Sequence, residues 1–407
     1  VHDTRLAAAA PARLAARAAH LSPSPTLAVT AEADRLRRTG VDVVDLGAGE
    51  PDFPTPKHVK AAAKEAIDRN FTRYTANAGV FELKAAVCAR MREDYAVEFA
   101  PDEVIVTAGG KQALYNTALA LFGPGDEVIT HAPVWPTIPE QIKLAGATPV
   151  LVRTHAEDGF VIHPDALLGA LTPRTRAIII NSPCNPTGAL MSESALAVVA
   201  DAAAARGLWI VIDLCYERLI YEPTPHNLPK VLADRLRDRA VLCGSASKAY
   251  AMTGWRCGWA IGPADLIGAC NAIQGHSTSN VNSITQKAAI AALSDSQDAV
   301  ARMLAEYRER RDRLCVWLSE EPRLRCLKPA GAFYLFVDVS DFLSPGGVRT
   351  SAEFARALLD RQRVALTAGE AFDAPGFIRI SYAAAPHRLK EGAKRLLEFV
   401  RDLTPAT

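Results

Sequence analysis

Six short, largely apolar runs punctuate the middle of this 407-residue chain: VIVT (104–107), EVIT (127–130), AIII (177–180), WIVI (209–212), AVLC (240–243) and WAIG (259–262). Helical stretches such as 111–122 and 192–206 lie between most of them. Runs of four residues without polar alternation suit strands buried on both faces, hence a mostly parallel sheet covered by helices. The spacing predicts an α/β fold. From 296 to 318 the pattern becomes one long helix, with Val300, Leu304, Tyr307, Leu314 and Leu318 at helical spacing. Beyond Pro322 it changes to strands with alternation, FYLFVD (333–338) and FIRISY (377–382), around a helix near 351–361, and a terminal helix follows from Pro386. This shift predicts a large domain over 47–327 and a smaller α+β domain built from 21–46 and 328–407. Residues 1–20 read as a tail with a short amphipathic helix over 12–20.

Length alone suggests two or three domains. A composition of 49% hydrophobic, 22% charged and 7% aromatic residues is that of a globular protein. Basic and acidic residues number 46 and 45, with no long basic run, so neither nucleic acid nor an anionic membrane is an expected partner. Charge, Pro or Gly breaks each apolar run well short of the roughly 18 residues a membrane helix requires. The eight cysteines contain no Cys-x-x-Cys pair, which argues against structural zinc. They read as small buried hydrophobes in a reducing compartment. The Ala- and Arg-rich start has Asp3 and no Ser before Ser22, unlike a transit peptide, and a cytoplasmic location is expected.

Functional residues of open α/β sheets gather past the carboxyl ends of strands. Four clusters obey that rule here. Ala108-Gly109-Gly110-Lys111-Gln112 follows VIVT and opens a helix, whose N-terminus can hold an anion. It is not a Walker loop, since Ile105 stands where a Gly is required and Gln112 follows Lys111. Asn181 to Gly188, with Asn185-Pro186-Thr187-Gly188, follows AIII and suits a plain turn as well as a site; Pro186 also rules out glycosylation at Asn185. Asp213 follows WIVI directly, an unfavourable place for a carboxylate unless it meets a cation. Ser245-Ala246-Ser247-Lys248 and Gly254-Trp255-Arg256 follow AVLC. Ser245-x-x-Lys248 matches the nucleophile motif of serine acyl-transferases, but the companion Ser-Asp-Asn and Lys-Thr-Gly segments are absent from the sequence.

Jointly, an anion cradle, an isolated acid, a lysine and an arginine at successive strand ends describe a pyridoxal 5'-phosphate site. Lysine forms a Schiff base with an aldehyde. An acid can keep a pyridinium nitrogen protonated, so that the ring acts as an electron sink.

With Gly49-Glu50-Pro51-Asp52-Phe53, Tyr74, Trp135, Gly258 and Arg379-Ile380-Ser381-Tyr382 added to those clusters, the chain resembles the fold type I, class I aminotransferases from about Ser22 to the last helix. Within them it is most similar to the bacterial aspartate and prephenate aminotransferase subgroup. The resemblance implies that Lys248 is the Schiff-base lysine and proton shuttle, and that Asp213 pairs with the ring nitrogen. It implies that Asn185 and Tyr216 bind the ring hydroxyl and that Trp135 stacks on the ring. Ser245, Arg256, the backbone at Gly110, Lys111 and Gln112, and Tyr74 from a partner subunit would hold the phosphate. Arg379 would clamp the substrate α-carboxylate with Gly49 closing over it, and Lys111 would read a distal carboxylate. A homodimer with shared sites follows from that pattern. The chain departs from it at Leu214, Val134, His276 and Ser22, all around the expected site.

The expected reaction is transamination between an amino acid, one of the pair acidic (glutamate or aspartate), and a 2-oxo acid. Diversion of the same carbanion to elimination, cyclisation or carbon–carbon bond formation is the alternative. A ligand sensor fused to a DNA-binding module is disfavoured by the short N-terminus.

Overall fold

The computed structural model describes residue 15, residues 21–23, residues 25–345 and residues 347–403. Among the described residues the chain forms thirteen strands, β1 to β13 in chain order. The large sheet holds β2 (Val104–Thr107), β3 (Glu127–Ala132), β4 (Thr148–Arg153), β5 (Thr175–Asn181), β6 (Trp209–Asp213), β7 (Ala240–Ser245) and β8 (Gly258–Ile261), in the spatial order β2-β8-β7-β6-β5-β3-β4. From β7 through to β4 every pairing is parallel, while β8 runs antiparallel to both β7 and β2. All six apolar runs are strands of this sheet, and every residue of β2, β3, β6, β7 and β8 is buried.

The seventh strand, β4, is absent from the sequence reading. Its sequence TPVLVR carries Pro149 and ends in Arg153, and its residues are only partly buried. It lies at the sheet edge, where one side needs no ladder partner and Pro is tolerated.

A four-stranded antiparallel sheet lies beyond: β12 (Thr367–Ala368), β13 (Phe377–Ser381), β10 (Tyr334–Asp338) and β9 (Arg325–Cys326), in that order. β1 (Val44–Asp45) pairs in parallel with β11 (Val364–Ala365). The alternation expected of FYLFVD and FIRISY does not appear in the burial, since four of the five residues in each strand are buried. Both faces are covered: Leu335 and Val337 belong to a core shared with the helices Asp298–Leu318 and Pro386–Arg401, while Phe336 packs against Phe160 and Phe372.

Two large apolar bodies flank the main sheet, one containing Val106, Ile180 and Ile212 and the other Ile105, Ile179 and Val211. A third body surrounds the small sheet and draws in Val44 and Leu46 from the N-terminal segment. The helix Asp298–Leu318 joins them, with Val300 in a main-sheet body and Met303, Tyr307, Leu314 and Leu318 in the small-sheet body. The helix expected over 12–20 falls, residue 15 apart, outside the described residues. Among the described residues, no helix is long and apolar enough to cross a membrane.

Candidate active site

A cavity of about 350 Å³ opens at the carboxyl ends of β5, β6 and β7. Its walls include Gly49, Gly110, Lys111, Trp135, Asn185, Asp213, Tyr216, Ser245, Lys248, Arg256 and Arg379. Three features build it.

The first is an anion cradle. The helix Gly110–Leu121 begins at once after β2, and Gly109 turns into it with φ +85°. A Cβ at Gly109 would stand 2.7 Å from Arg256 Nη2, so only glycine lets that guanidinium lie against the turn. Arg256 Nη1 donates to the Thr253 carbonyl at 2.8 Å and Nη2 to Ala108 O at 3.2 Å. Arginine has five N–H donors, so three remain. The Gly110 and Lys111 amides bond no preceding carbonyl, whereas the Gln112 amide, expected from the sequence to face a phosphate, donates to Gly109 O at 3.0 Å; Ser245 stands in the same wall.

The second is an amine and an acid. Asp213 ends β6 at 2% exposure, and its Oδ1 accepts from Cys215 N at 3.0 Å. Burial raises its carboxyl to about 6, against opposing pulls from the Cys215 amide and the Lys248 charge. Burial also holds the Lys248 ammonium below the usual lysine range; Cys215 and Glu50 oppose the fall, while Arg256 and Arg379 add to it. Lys248 Nζ donates to Gly49 O at 2.5 Å.

The third is a buried arginine, a group able to clamp a carboxylate. Arg379, on β13, is 2% exposed and lies over the Tyr334 ring at 4.2 Å. Its Nη1 donates to Asn185 Oδ1 at 2.9 Å and its Nη2 to Gly47 O at 2.8 Å. Its Nε has no hydrogen-bond partner among the described residues, so a buried donor stays free beside the cavity. The Tyr216 and Tyr334 hydroxyls share one hydrogen bond of 2.7 Å.

Residues 41–396 match the model of the family aminotransferase class I and II. The chain belongs to that family. It is 43% identical over 392 residues, 95% of this chain and 98% of the relative, to an aspartate/prephenate aminotransferase of Cereibacter sphaeroides. It is 42% identical to an aspartate aminotransferase of Geobacillus stearothermophilus, over 95% of this chain and 99% of that one. Among solved structures, an aspartate aminotransferase from Rhizobium meliloti matches with a TM-score of 0.91 at 37% identity, covering 96% of this chain and all (100%) of that one. One from Thermus thermophilus, with maleate, matches at 0.89 and 39% identity, covering 96% and 99%. The fold is therefore that of the aspartate aminotransferases, and the chain is a pyridoxal-phosphate-dependent enzyme of amino-group transfer.

Not every expected residue of this aminotransferase meets in the cavity. The Gln112 side chain turns away: its Oε1 accepts from Ala108 N and its Nε2 donates to Thr278 Oγ1, both at 2.5 Å. Tyr74 is 91% exposed and lies outside this chain's cavity. His276 caps the helix Ala264–Gly275 at its C-terminal end, exposed and away from the walls. Val134 and Leu214 are buried behind the cavity, and Ser22 N bonds Glu140 Oε2 at 3.2 Å. The sequence reading missed Thr30, Gly47, Ala48, Cys215, Thr253 and Tyr334, which also line it, and gave Asn181 no role of its own within the cluster it opens. Tyr334 sits in FYLFVD, a run read only for its strand pattern; a polar-ended aromatic at the strand's start was the available signal.

Proposed function

We propose that this aminotransferase binds pyridoxal 5'-phosphate at the cavity between β5, β6 and β7 and takes glutamate or aspartate as one of its two substrates. The observation that carries the reading is the convergence of Lys248, Asp213, Arg256 and Arg379 on one cavity. The donor set suits the cofactor: a buried acid for a ring nitrogen, an amine for an aldehyde, and a helix N-terminus with Ser245 and Arg256 for a phosphate.

When bound, pyridoxal phosphate supplies an aldehyde for the amino group and an electron-poor ring that takes up the electron pair left by a departing α-proton. The protein does the rest. Lys248, whose burial favours the neutral amine, would take the proton from the α-carbon and deliver it to the carbon on the other side of the amino nitrogen, a 1,3 shift that a single amine can span. Asp213 holds the ring nitrogen protonated by a preorganised charge. Asn185 commits its oxygen to Arg379, leaving its NH2 group to donate to a ring hydroxyl oxygen. Tyr216, paired with Tyr334, leaves one hydroxyl proton of the two for the same group. Arg379 meets the α-carboxylate as a bidentate fork with Gly49 above it. Trp135 covers the ring, and Lys111, with Nζ 4.8 Å from the Trp135 ring centroid, faces the distal carboxylate.

The domain division proposed with this reading is 47–327 and 21–46 with 328–407; in its support the small-sheet body joins Val44 and Leu46 to residues beyond 328, while the helix Asp298–Leu318 contributes to the bodies of both sheets. The working unit is a cytoplasmic homodimer in which Tyr74 serves the partner's phosphate, a role its exposure in a single chain supports. The test incubates the loaded enzyme with a panel of amino acids and follows the cofactor spectrum and the products by mass. Glutamate or aspartate should yield the matching 2-oxo acid, and borohydride should fix the cofactor to Lys248. Labelling of Lys111 instead, or products of elimination or condensation, would overturn the reading.

A further inference from the structure

Residues 47–50 line the cavity, and the segment 47–55 is tied to distant parts of the chain by a series of hydrogen bonds. Gly47 O accepts from Arg379 Nη2 at 2.8 Å, and Gly49 O from Lys248 Nζ at 2.5 Å. Asp52 Oδ1 accepts from Arg310 Nη1 at 2.7 Å, and that arginine side chain is only 6% exposed. Between these anchors, Glu50 Oε2 accepts from Thr253 Oγ1 at 2.8 Å. Trp255 Nε1 donates to Thr55 Oγ1 at 2.9 Å.

Both of the last two bonds end on one short turn, Thr253–Trp255, which carries Arg256 directly after it. Arg256 adopts φ +57°, a left-handed conformation that is unfavourable for any residue with a Cβ. That conformation folds the side chain back so that Nη1 meets the Thr253 carbonyl. Thr253 therefore has two roles: its hydroxyl is held by Glu50 and its carbonyl holds Arg256. An arginine whose turn is both strained and largely at the surface requires such an outside tie to keep its guanidinium aimed.

We propose that Glu50 is a positioning residue for the phosphate cradle: its carboxylate fixes Thr253, and Thr253 fixes the Arg256 guanidinium that meets the cofactor phosphate. This rests on the reading of Arg256 as a phosphate ligand.

The test compares two probes, pyridoxal 5'-phosphate and pyridoxal, which lacks the phosphate. Their dissociation constants are measured on the full-length enzyme freed of cofactor and re-titrated. Glu50→Ala and Thr253→Val should each weaken pyridoxal phosphate about fivefold, the size of one ordinary hydrogen bond, and leave pyridoxal unchanged. Glu50→Gln keeps an acceptor oxygen for Thr253 and should stay within about twofold of wild type. The double variant should bind no worse than either single one, because both remove the same link. Equal losses for both probes in Glu50→Ala would mean a general structural role and overturn the proposal. So would a Glu50→Gln variant as weak as Glu50→Ala, which would mean a charge effect, or additive losses in the double variant. Arg256→Ala separates the two layers. If it leaves the preference for pyridoxal phosphate intact, the cradle reading fails and this inference with it. If it abolishes that preference while Glu50→Ala does not change it, only this inference fails.

Discussion

Asp213 is buried with a single backbone amide as its hydrogen-bond donor, and burial moves its carboxyl from 3.8 to about 6. In cofactor-free protein the folded state then keeps a proton that the unfolded chain releases between about pH 4 and 6, so stability falls as pH rises through that window. The shift is worth on the order of 3 kcal/mol at neutral pH. Asparagine still accepts from Cys215 N and carries no charge to bury. Cofactor-free Asp213→Asn should therefore unfold at a higher temperature than wild type at pH 7 and at the same temperature near pH 4. Once loaded, the variant should lose several orders of magnitude in α-proton abstraction. Thermal melts across pH and isotope exchange at the α-carbon check the two halves; a stabilised variant with normal exchange would leave Asp213 a structural acid. At Lys111 the expectation concerns selectivity. Burial, together with the Arg256 and Lys248 charges, lowers its ammonium pKa, and an incoming carboxylate would supply the opposite charge that raises it again. Lys111→Ala should raise the KM for glutamate or aspartate about tenfold, close to 1.4 kcal/mol, and change that for a neutral amino acid little. Equal effects on both substrates would return Lys111 to the phosphate.

The elements that set the cradle are β2, β8 and the helix Gly110–Leu121. β8 runs against β2 in register from Val104↔Ile261 to Thr107↔Gly258, which brings Gly258 under the turn that starts the helix. A Cβ at Gly258 would stand 2.5 Å from Gly109 C and from Gly110 N, both backbone atoms that cannot swing aside. Gly258→Ala should destabilise the protein by about 1–3 kcal/mol through overpacking. It should also weaken cofactor binding, because the shifted atoms include the first amides of the helix. Denaturant unfolding and cofactor titration of the same preparation test both, and unchanged binding in a destabilised variant would separate the strand contact from the cradle. The motif that named this glycine was legible in the sequence. Its reason, an antiparallel strand reversing beside the helix N-terminus, was not.

Across the whole molecule, the cavity lies where the main sheet meets the small one: Arg379 reaches Asn185 from β13, and Gly47 closes on it from the N-terminal segment. Ile67, Tyr74 and Phe81, at 51%, 91% and 68% exposure, present apolar surface within one stretch of sequence, as a subunit contact would. If Tyr74 completes the partner's cradle, Tyr74→Ala should bind pyridoxal phosphate weakly while its pyridoxal affinity is kept. Mixing it with Lys248→Ala should form hybrid dimers in which one of the two sites has both residues. Activity in the re-equilibrated mixture should then exceed the average of the two separate variants, and a strict average would place Tyr74 outside the partner's site.

Eight of the thirteen strands among the described residues, the longer helices over 111–122, 192–206, 296–318, 351–361 and from Pro386, and the four strand-end clusters were readable from the sequence because each is local. A buried strand is an unbroken apolar run, and residues that follow it directly stand at the sheet's carboxyl edge. Where the local signal weakens, as in β4 with Pro149, the reading lost the strand. Where a short strand is covered on both faces, as in β10, its residue pattern was taken for alternation. Tertiary structure alone decided which side chains complete the site. The bonds from Lys248 to Gly49, Arg379 to Asn185 and Tyr216 to Tyr334 span 199, 194 and 118 residues. No periodicity reaches that far. Glu50, Thr253 and Tyr334 acquire their partners only when two separately packed sheets bring distant loops together, and burial of Asp213 and Lys248 between those sheets sets their protonation.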